Sequence, residues 1–137
     1  MRVLFDTCIV VDVLQHREPF WKDSYDAFLA VANRQAEGFL SAKSLTDIYY
    51  LTHRKTHDRM ETHRIISKLL LVFDLLDTMA SDCRKALLTE AGDYEDAIMI
   101  ETAVRSEMDC IVTRNIRDYR ASPLPVYTPP VFLELLS

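Results

Sequence analysis

The chain of 137 residues has two glycines, three cysteines, no excess of positive charge and no long apolar run. So little glycine excludes a collagen-like or Gly-rich low-complexity chain. An odd cysteine count without framework spacing excludes a disulfide scaffold and points to a reducing cytoplasm. Cys8 and Cys110 lie in apolar runs and read as packed thiols. The net charge of -5 argues against broad, sequence-independent adhesion to nucleic acid, because that affinity is built from many Lys and Arg contacts to phosphate. Any nucleic-acid role must then rest on a local basic patch or on a metal bridging to phosphate. Only three consecutive apolar residues, Val3, Leu4 and Phe5, precede Asp6, too few for the core of a signal sequence, and no run approaches a membrane span. The expectation is a cytoplasmic protein with no membrane partner.

What is present is 49% hydrophobic residues, enough for one domain, residues 1–137, that buries about two thirds of its unfolded surface. The apolar periodicity alternates between strand and helix. Arg2 to Asp6 reads as a strand, and a short helix follows through Leu14. Pro19 suits the first turn of a second helix, whose Phe20, Tyr25, Phe28 and Leu29 recur at helical spacing. Gly38 to Ser41 is a second strand, Leu45 to Arg54 a helix, Arg59 to Val72 another, and Phe73 to Leu76 a third strand. Ser81 to Leu88 and Tyr94 to Ser106 read as helices, Cys110 to Thr113 and Val126-Tyr127 as strands, and Val131 to Leu136 as a closing helix. No linker or repeat interrupts this order, which predicts a three-layer α/β/α domain with a parallel sheet of four or five strands.

Four acidic or amide side chains stand at the junctions of these elements: Asp6, Asp47, Asp96 and Asn115. In an open parallel sheet such junctions converge on the carboxyl edge, where these folds keep their sites. Each residue also has a local reading. Asp6 can cap the helix from Thr7, and Asp47 stands three residues after Ser44 as the acidic partner of a capping box. Asp96 stands in the same relation to Asp93, and Asn115 suits a turn. It is the conjunction of four that favours an acidic metal pocket.

Four segments, in this order, resemble the PIN-domain nucleases: Val3-Leu4-Phe5-Asp6-Thr7, Asp93-Tyr94-Glu95-Asp96-Ala97 leading into Glu101-Thr102-Ala103, Ile111 to Tyr119, and Tyr127-Thr128-Pro129. That family includes the VapC-type toxins of toxin-antitoxin pairs. The resemblance spans essentially the whole chain. It implies a PIN-like fold, a divalent ion (Mg or Mn), endoribonuclease activity on RNA, an antitoxin protein as partner, and a homodimer. Asp6 matches the first family acid, Asp47 falls where the second stands, Asp96 matches the third, and the fourth falls on Asn115, with Asp118 close by. The second acid is commonly Glu and the fourth often Asp, and Cys8 stands where Asn or Ser is frequent.

The chemistry is consistent with that resemblance. Mg and Mn take oxygen ligands and keep several waters, so two or three carboxylates and a substrate phosphate complete a site. Asp6 and Asp96 are assigned to the ion, with Asp47 as a further ligand or the group that orients water. Asn115 adds an oxygen, and Asp93, Thr113 and Asp118 support the ligands from behind. Crowded carboxylates also repel, so without metal at least one should have a raised pKa. Arg114, Arg117 and Arg120 recur every three residues beside Asn115, as phosphate guides or as partners of local acids such as Asp118. His53, His57 and His63 lack a further ligand for zinc. The aromatic residues Phe20, Trp21, Tyr25, Tyr49 and Tyr50 read as core or as a groove for a partner peptide. With Asn115 in place of an acid, a module that binds RNA or protein and cuts weakly is the alternative to a nuclease.

Overall fold

The structure, a computed structural model, describes residues 1–90 and 92–137. Five strands, β1 (Arg2–Phe5), β2 (Glu37–Ser41), β3 (Asp74–Leu76), β4 (Cys110–Val112) and β5 (Val126–Tyr127), form one sheet in the order β3-β2-β1-β4-β5. Every pairing is parallel. The connections are helical: α1 (Thr7–Leu14), α2 (Trp21–Ala32), α3 (Ala42–Thr56), α4 (Arg59–Val72), α5 (Ala80–Ala86) and α6 (Tyr94–Arg105), with a 3-10 turn (Ile116–Tyr119) after β4 and α7 (Pro129–Leu136) at the end.

The strands are apolar on both faces, as strands covered on both sides must be. Their side chains alternate. Val3 and Phe5 of β1, Leu40 of β2, and Cys110 and Val112 of β4 join one core with Ile9, Val10, Ala27, Ile48, Leu69 and Phe132 from α1, α2, α3, α4 and α7. Leu4, Phe39, Leu76 and Ile111 join a second core with Met99, Ile100 and Ala103 of α6. At the centre of the first, the Phe5 ring meets Phe73 and Phe132 edge-on, with centroids 5.2 and 5.8 Å away. Gly38 lets β2 approach that core closely: a β-carbon there would stand 2.5 Å from Val31 and 2.8 Å from the Phe73 ring.

Several boundaries differ from the sequence expectation. Helix α2 starts at Trp21, leaving Pro19 in the turn before it. Helix α3 starts earlier than Leu45, because the Ser41 hydroxyl accepts from the Ser44 N–H and caps it. Asp47 is thereby removed from any capping box with Ser44. Helix α7 starts at Pro129, whose missing N–H costs nothing in a first turn. α5 ends at Ala86, two residues short of Leu88.

The sheet order matters for function. The chain leaves β1 towards β2 on one side, while β4 and β5 lie on the other. The switch in direction therefore falls between β1 and β4, and the carboxyl ends of these two neighbours carry Asp6 and Thr113. Such a crevice is where open α/β sheets bind ligands.

Candidate active site

Asp6 follows β1 directly, and its N–H donates to the Val112 carbonyl of β4 over 2.9 Å. Its carboxylate makes no capping bond to α1. Instead the Thr113 hydroxyl donates to Asp6 Oδ2 at 2.6 Å and the Cys8 thiol donates to the same oxygen at 3.4 Å. Thr113 Oγ1 in turn accepts from the Asn115 N–H at 3.0 Å. Burial, and after it the Asp6 charge, pushes the Cys8 thiol up to about 12, so it stays protonated and serves as a donor.

Asp96 arrives from the first turn of α6. Asp93 is the N-cap there, its Oδ1 accepting from the N–H groups of Glu95 at 2.8 Å and Asp96 at 3.3 Å. The capping duty thus falls on Asp93, and the Asp96 carboxylate is left for the pocket. Burial, then the charges of Asp6, Asp93 and Asp118, pushes Asp96 up to about 7. That shift is the mark of carboxylates crowded without a counter-ion. Helix α6 is held in place from behind: buried Asp82 of α5 accepts from Arg105 Nε at 2.9 Å and from the Thr102 hydroxyl at 3.1 Å.

Asp6 and Asp96 line a pocket of about 390 Å³ with Thr7, Lys43, Asp47 and Glu95. Asp47 is in it but is not free. Lys43 Nζ lies 2.6 Å from Asp47 Oδ2 and 3.1 Å from Glu95 Oε2. The ammonium is held above its ordinary pKa, since these two carboxylates outweigh the burial that pulls it down.

The other predicted residues lie around this centre with different roles. Asn115 is exposed and is not among the pocket's lining residues. Asp118 is exposed too, yet near enough for its charge to act on Asp96. Arg114 turns away from the pocket. Its guanidinium grips fully buried Asp12 at 2.6 and 3.1 Å and stacks 3.9 Å over the Phe20 ring. Asp12 also accepts from the Ser24 hydroxyl at 3.1 Å, so the pair knits α1, α2 and the turn after β4 together. Arg117 and Arg120 border a separate hollow with Glu90 and Gly92. Of the aromatics, Trp21 stacks between His16 and Tyr25, and Tyr50 lines the acidic pocket while 64% exposed.

Lys43 and Glu95 line the pocket and Tyr119 lies close to its carboxylates, yet the sequence assigned a role to none of the three. Lys43 and Asp47 are four apart on one helix, a legible pair, but Glu95 reaches them only through the tertiary fold. Tyr119 is 1% exposed, and its hydroxyl has no hydrogen-bond partner among the described residues. Burial, then the charges of Asp6 and Asp96, drives its pKa far up. The hydroxyl thus lies close to both carboxylates, near enough to interact with each without a bond of regular geometry.

The donor set suits a hard divalent ion. Mg binds through one or two carboxylates and fills the rest of its shell with waters and phosphate oxygens. No three His, Cys, Asp or Glu side chains among the described residues form a ready cage. The residues present therefore fit an ion that retains waters between Asp6 and Asp96, and do not fit a site closed by protein alone.

A family model described as PIN domain matches residues 2–117. The chain belongs to the PIN domain family. The PIN fold is shared with solved structures of low sequence identity. A toxin-antitoxin complex from Klebsiella pneumoniae is similar at TM-score 0.68 and 22% identity, over 93% of this chain and 97% of that one. FitAcB from Neisseria gonorrhoeae is similar at TM-score 0.67 and 15% identity, over 93% and 97%. VapC20 of Mycobacterium tuberculosis, described as a Sarcin-Ricin loop cleaving toxin, is similar at TM-score 0.62 and 13% identity, over 80% and 86%. No curated protein sequence gives a significant match. PIN domains are typically nucleases that use divalent metals, and two of the sequence motifs of this PIN domain line the acidic pocket, one through Asp6 and Thr7 and the other through Glu95 and Asp96. Among the described residues of this PIN domain no helix is long and apolar enough to cross a membrane.

Proposed function

We propose that this PIN domain is a divalent-metal-dependent endoribonuclease, and that it acts as the toxin of a toxin-antitoxin pair. The observation that carries the reading is the approach of Asp6 and Asp96 at the β1/β4 switch point, close enough that burial and the Asp6 charge hold Asp96 up to about 7. A cation relieves that crowding. Asp6 and Asp96 would hold it, and a bound Mg or Mn ion would acidify a water molecule and offset charge building on the scissile phosphate. Thr113 and Cys8 fix the Asp6 oxygen, Asp93 caps α6 and so leaves the Asp96 carboxylate to the pocket, and Asp47 faces the pocket to orient water. Asn115 and Asp118, on the turn after β4, border the substrate path.

The partners in this reading are RNA, an antitoxin protein and a second copy of the chain, in the cytoplasm. The neighbours solved in toxin-antitoxin complexes support the antitoxin. The description of VapC20 as a Sarcin-Ricin loop cleaving toxin supports RNA. One observation favours a weaker catalyst or a binding module instead: Asp47 is already paired with Lys43.

The test incubates purified protein with pooled cellular RNA and Mn, with EDTA and Asp6→Asn as controls. Cleavage lost in both controls supports the nuclease. A folded, Mn-loaded protein that cuts no RNA sinks it in favour of the binding module, and cleavage that persists in EDTA points to another mechanism or a contaminant.

A further inference from the structure

We propose that Lys43 serves as a built-in second cation of the acidic pocket, so that each chain takes one divalent ion, at Asp6 and Asp96, and excludes a second at Asp47. The inference rests on the metal-dependent reading above and adds how the pocket's charge is divided.

Four carboxylates line the pocket: Asp6, Asp47, Glu95 and Asp96. They separate into two pairs. Asp47 and Glu95 share one ammonium, with Lys43 Nζ at 2.6 and 3.1 Å. Asp6 and Asp96 have no ion pair among the described residues; Asp6 is met by a hydroxyl and a thiol alone. One half of the pocket thus has a cation bonded to its two carboxylates, with Arg54 also on the wall, while the other half has two carboxylates and no bonded cation among the described residues, so an entering divalent cation is drawn to the more negative half. A second ion at Asp47 would have to displace an ammonium bonded to two carboxylates.

The lysine is placed for this duty by the fold rather than by chance contact at the surface. Lys43 sits in the first turn of α3, four residues before Asp47, while Glu95 comes from the first turn of α6. The Lys43 N–H donates to the Thr78 hydroxyl at 3.2 Å, which ties that turn to the segment after β3. Its side chain is 27% exposed. Partial desolvation strengthens the two ion pairs over those of a solvated surface lysine. The ammonium thus bridges α3 and α6 and brings a positive charge to the same pocket that Asp6 and Asp96 line. A phosphate bound at Asp6 and Asp96 through a divalent ion would meet that charge, the arrangement by which a single metal and a lysine can share the work of two metals.

Mn titration, followed calorimetrically and by the spin signal of free Mn, counts ions per chain without requiring catalysis. Wild type is expected to bind one. Lys43→Met keeps the length of the side chain and removes the charge; it is expected to bind a second ion and to hold the first about tenfold more tightly. Lys43→Arg is expected to return the count to one, which a merely structural role for the lysine would not require, and circular dichroism confirms that each variant is folded. If Lys43→Met still takes one ion at unchanged affinity, or wild type takes two, the inference is overturned while the metal site stands. If wild type binds no Mn, the metal-dependent reading itself fails. Should Lys43→Met fail to fold, Glu95→Gln with Asp47→Asn tests the same division: a wild-type count of one, unchanged in that double variant, is required, and a fall to zero overturns it.

Discussion

Thr113, at the end of β4, donates its hydroxyl to Asp6, at the end of β1, across 2.6 Å. This bond joins the two strands that flank the switch point, and Thr113 Oγ1 is simultaneously the acceptor for the Asn115 N–H. Thr113→Val keeps the shape and removes both functions. A part-buried N–H would lose its acceptor and a charged oxygen its donor, which predicts a loss of about 1 to 3 kcal/mol in urea unfolding. Mn affinity should fall with it, because Asp6 loses the group that fixes its oxygen. A variant with wild-type stability and wild-type Mn affinity would show that the hydroxyl does not position Asp6.

Asp96 gives the metal-free protein a pH dependence of defined sign. Its folded pKa of about 7 lies above that of an ordinary carboxyl near 4, so between these values the folded state binds the proton and the unfolded chain does not. Stability from this group is fully present below pH 4 and is lost as pH rises towards 7. After allowance for solvent screening of a half-exposed group, the loss is about 1 to 2 kcal/mol. Urea melts in EDTA at pH 5 and pH 7.5 should differ more for wild type than for Asp96→Asn. Equal differences in the two proteins would refute the shift.

Asp6→Asn removes one of the two crowded charges. In EDTA it should be as stable as wild type or more so, and the stabilisation by Mn seen in wild-type thermal melts should largely vanish. Cleavage of RNA should be abolished. If Mn raised the melting temperature of the variant as much as that of wild type, Asp6 would not be a ligand.

Arg114 is predicted to act on stability rather than on phosphate. Arg114→Ala leaves the Asp12 carboxylate, 0% exposed, buried without its cation. Breaking a buried pair in this way costs about 3 to 5 kcal/mol. Chemical denaturation of the variant checks this. A variant as stable as wild type but weaker on RNA would return Arg114 to the role of phosphate guide.

At Gly38 the prediction is steric. A methyl group would press on Val31 and the Phe73 ring, and overpacking of this kind costs about 1 to 3 kcal/mol. Gly38→Ala should lower the denaturation midpoint without altering Mn binding, since β2 contributes no ligand. An unchanged midpoint would mean that α2 and Phe73 yield freely.

The alternation of strand and helix was legible in the chain alone, because apolar periodicity is local: α4 was legible at both of its ends, and α6 to within a residue at its C-terminal end. That Asp93 could cap α6 was legible too, since an N-cap and its donors lie within three residues of each other. Asp6 and Asp96 were legible as candidates from their positions at element junctions and from the ordered motifs around them. How charges are shared between elements far apart in the chain was settled by packing. Whether Arg114 faces a phosphate or Asp12 depended on how α1 packs beside the turn after β4. Whether Asp47 is free depended on Lys43 and on Glu95 arriving from another helix. Tyr119 closed a motif with no role assigned to it, and only the second core, packed over its ring, left its hydroxyl beside two carboxylates. Spacing along the chain fixes neighbours on one helix or strand, whereas the energy of a charge depends on burial and on every partner within a few ångströms, which only the packed fold supplies.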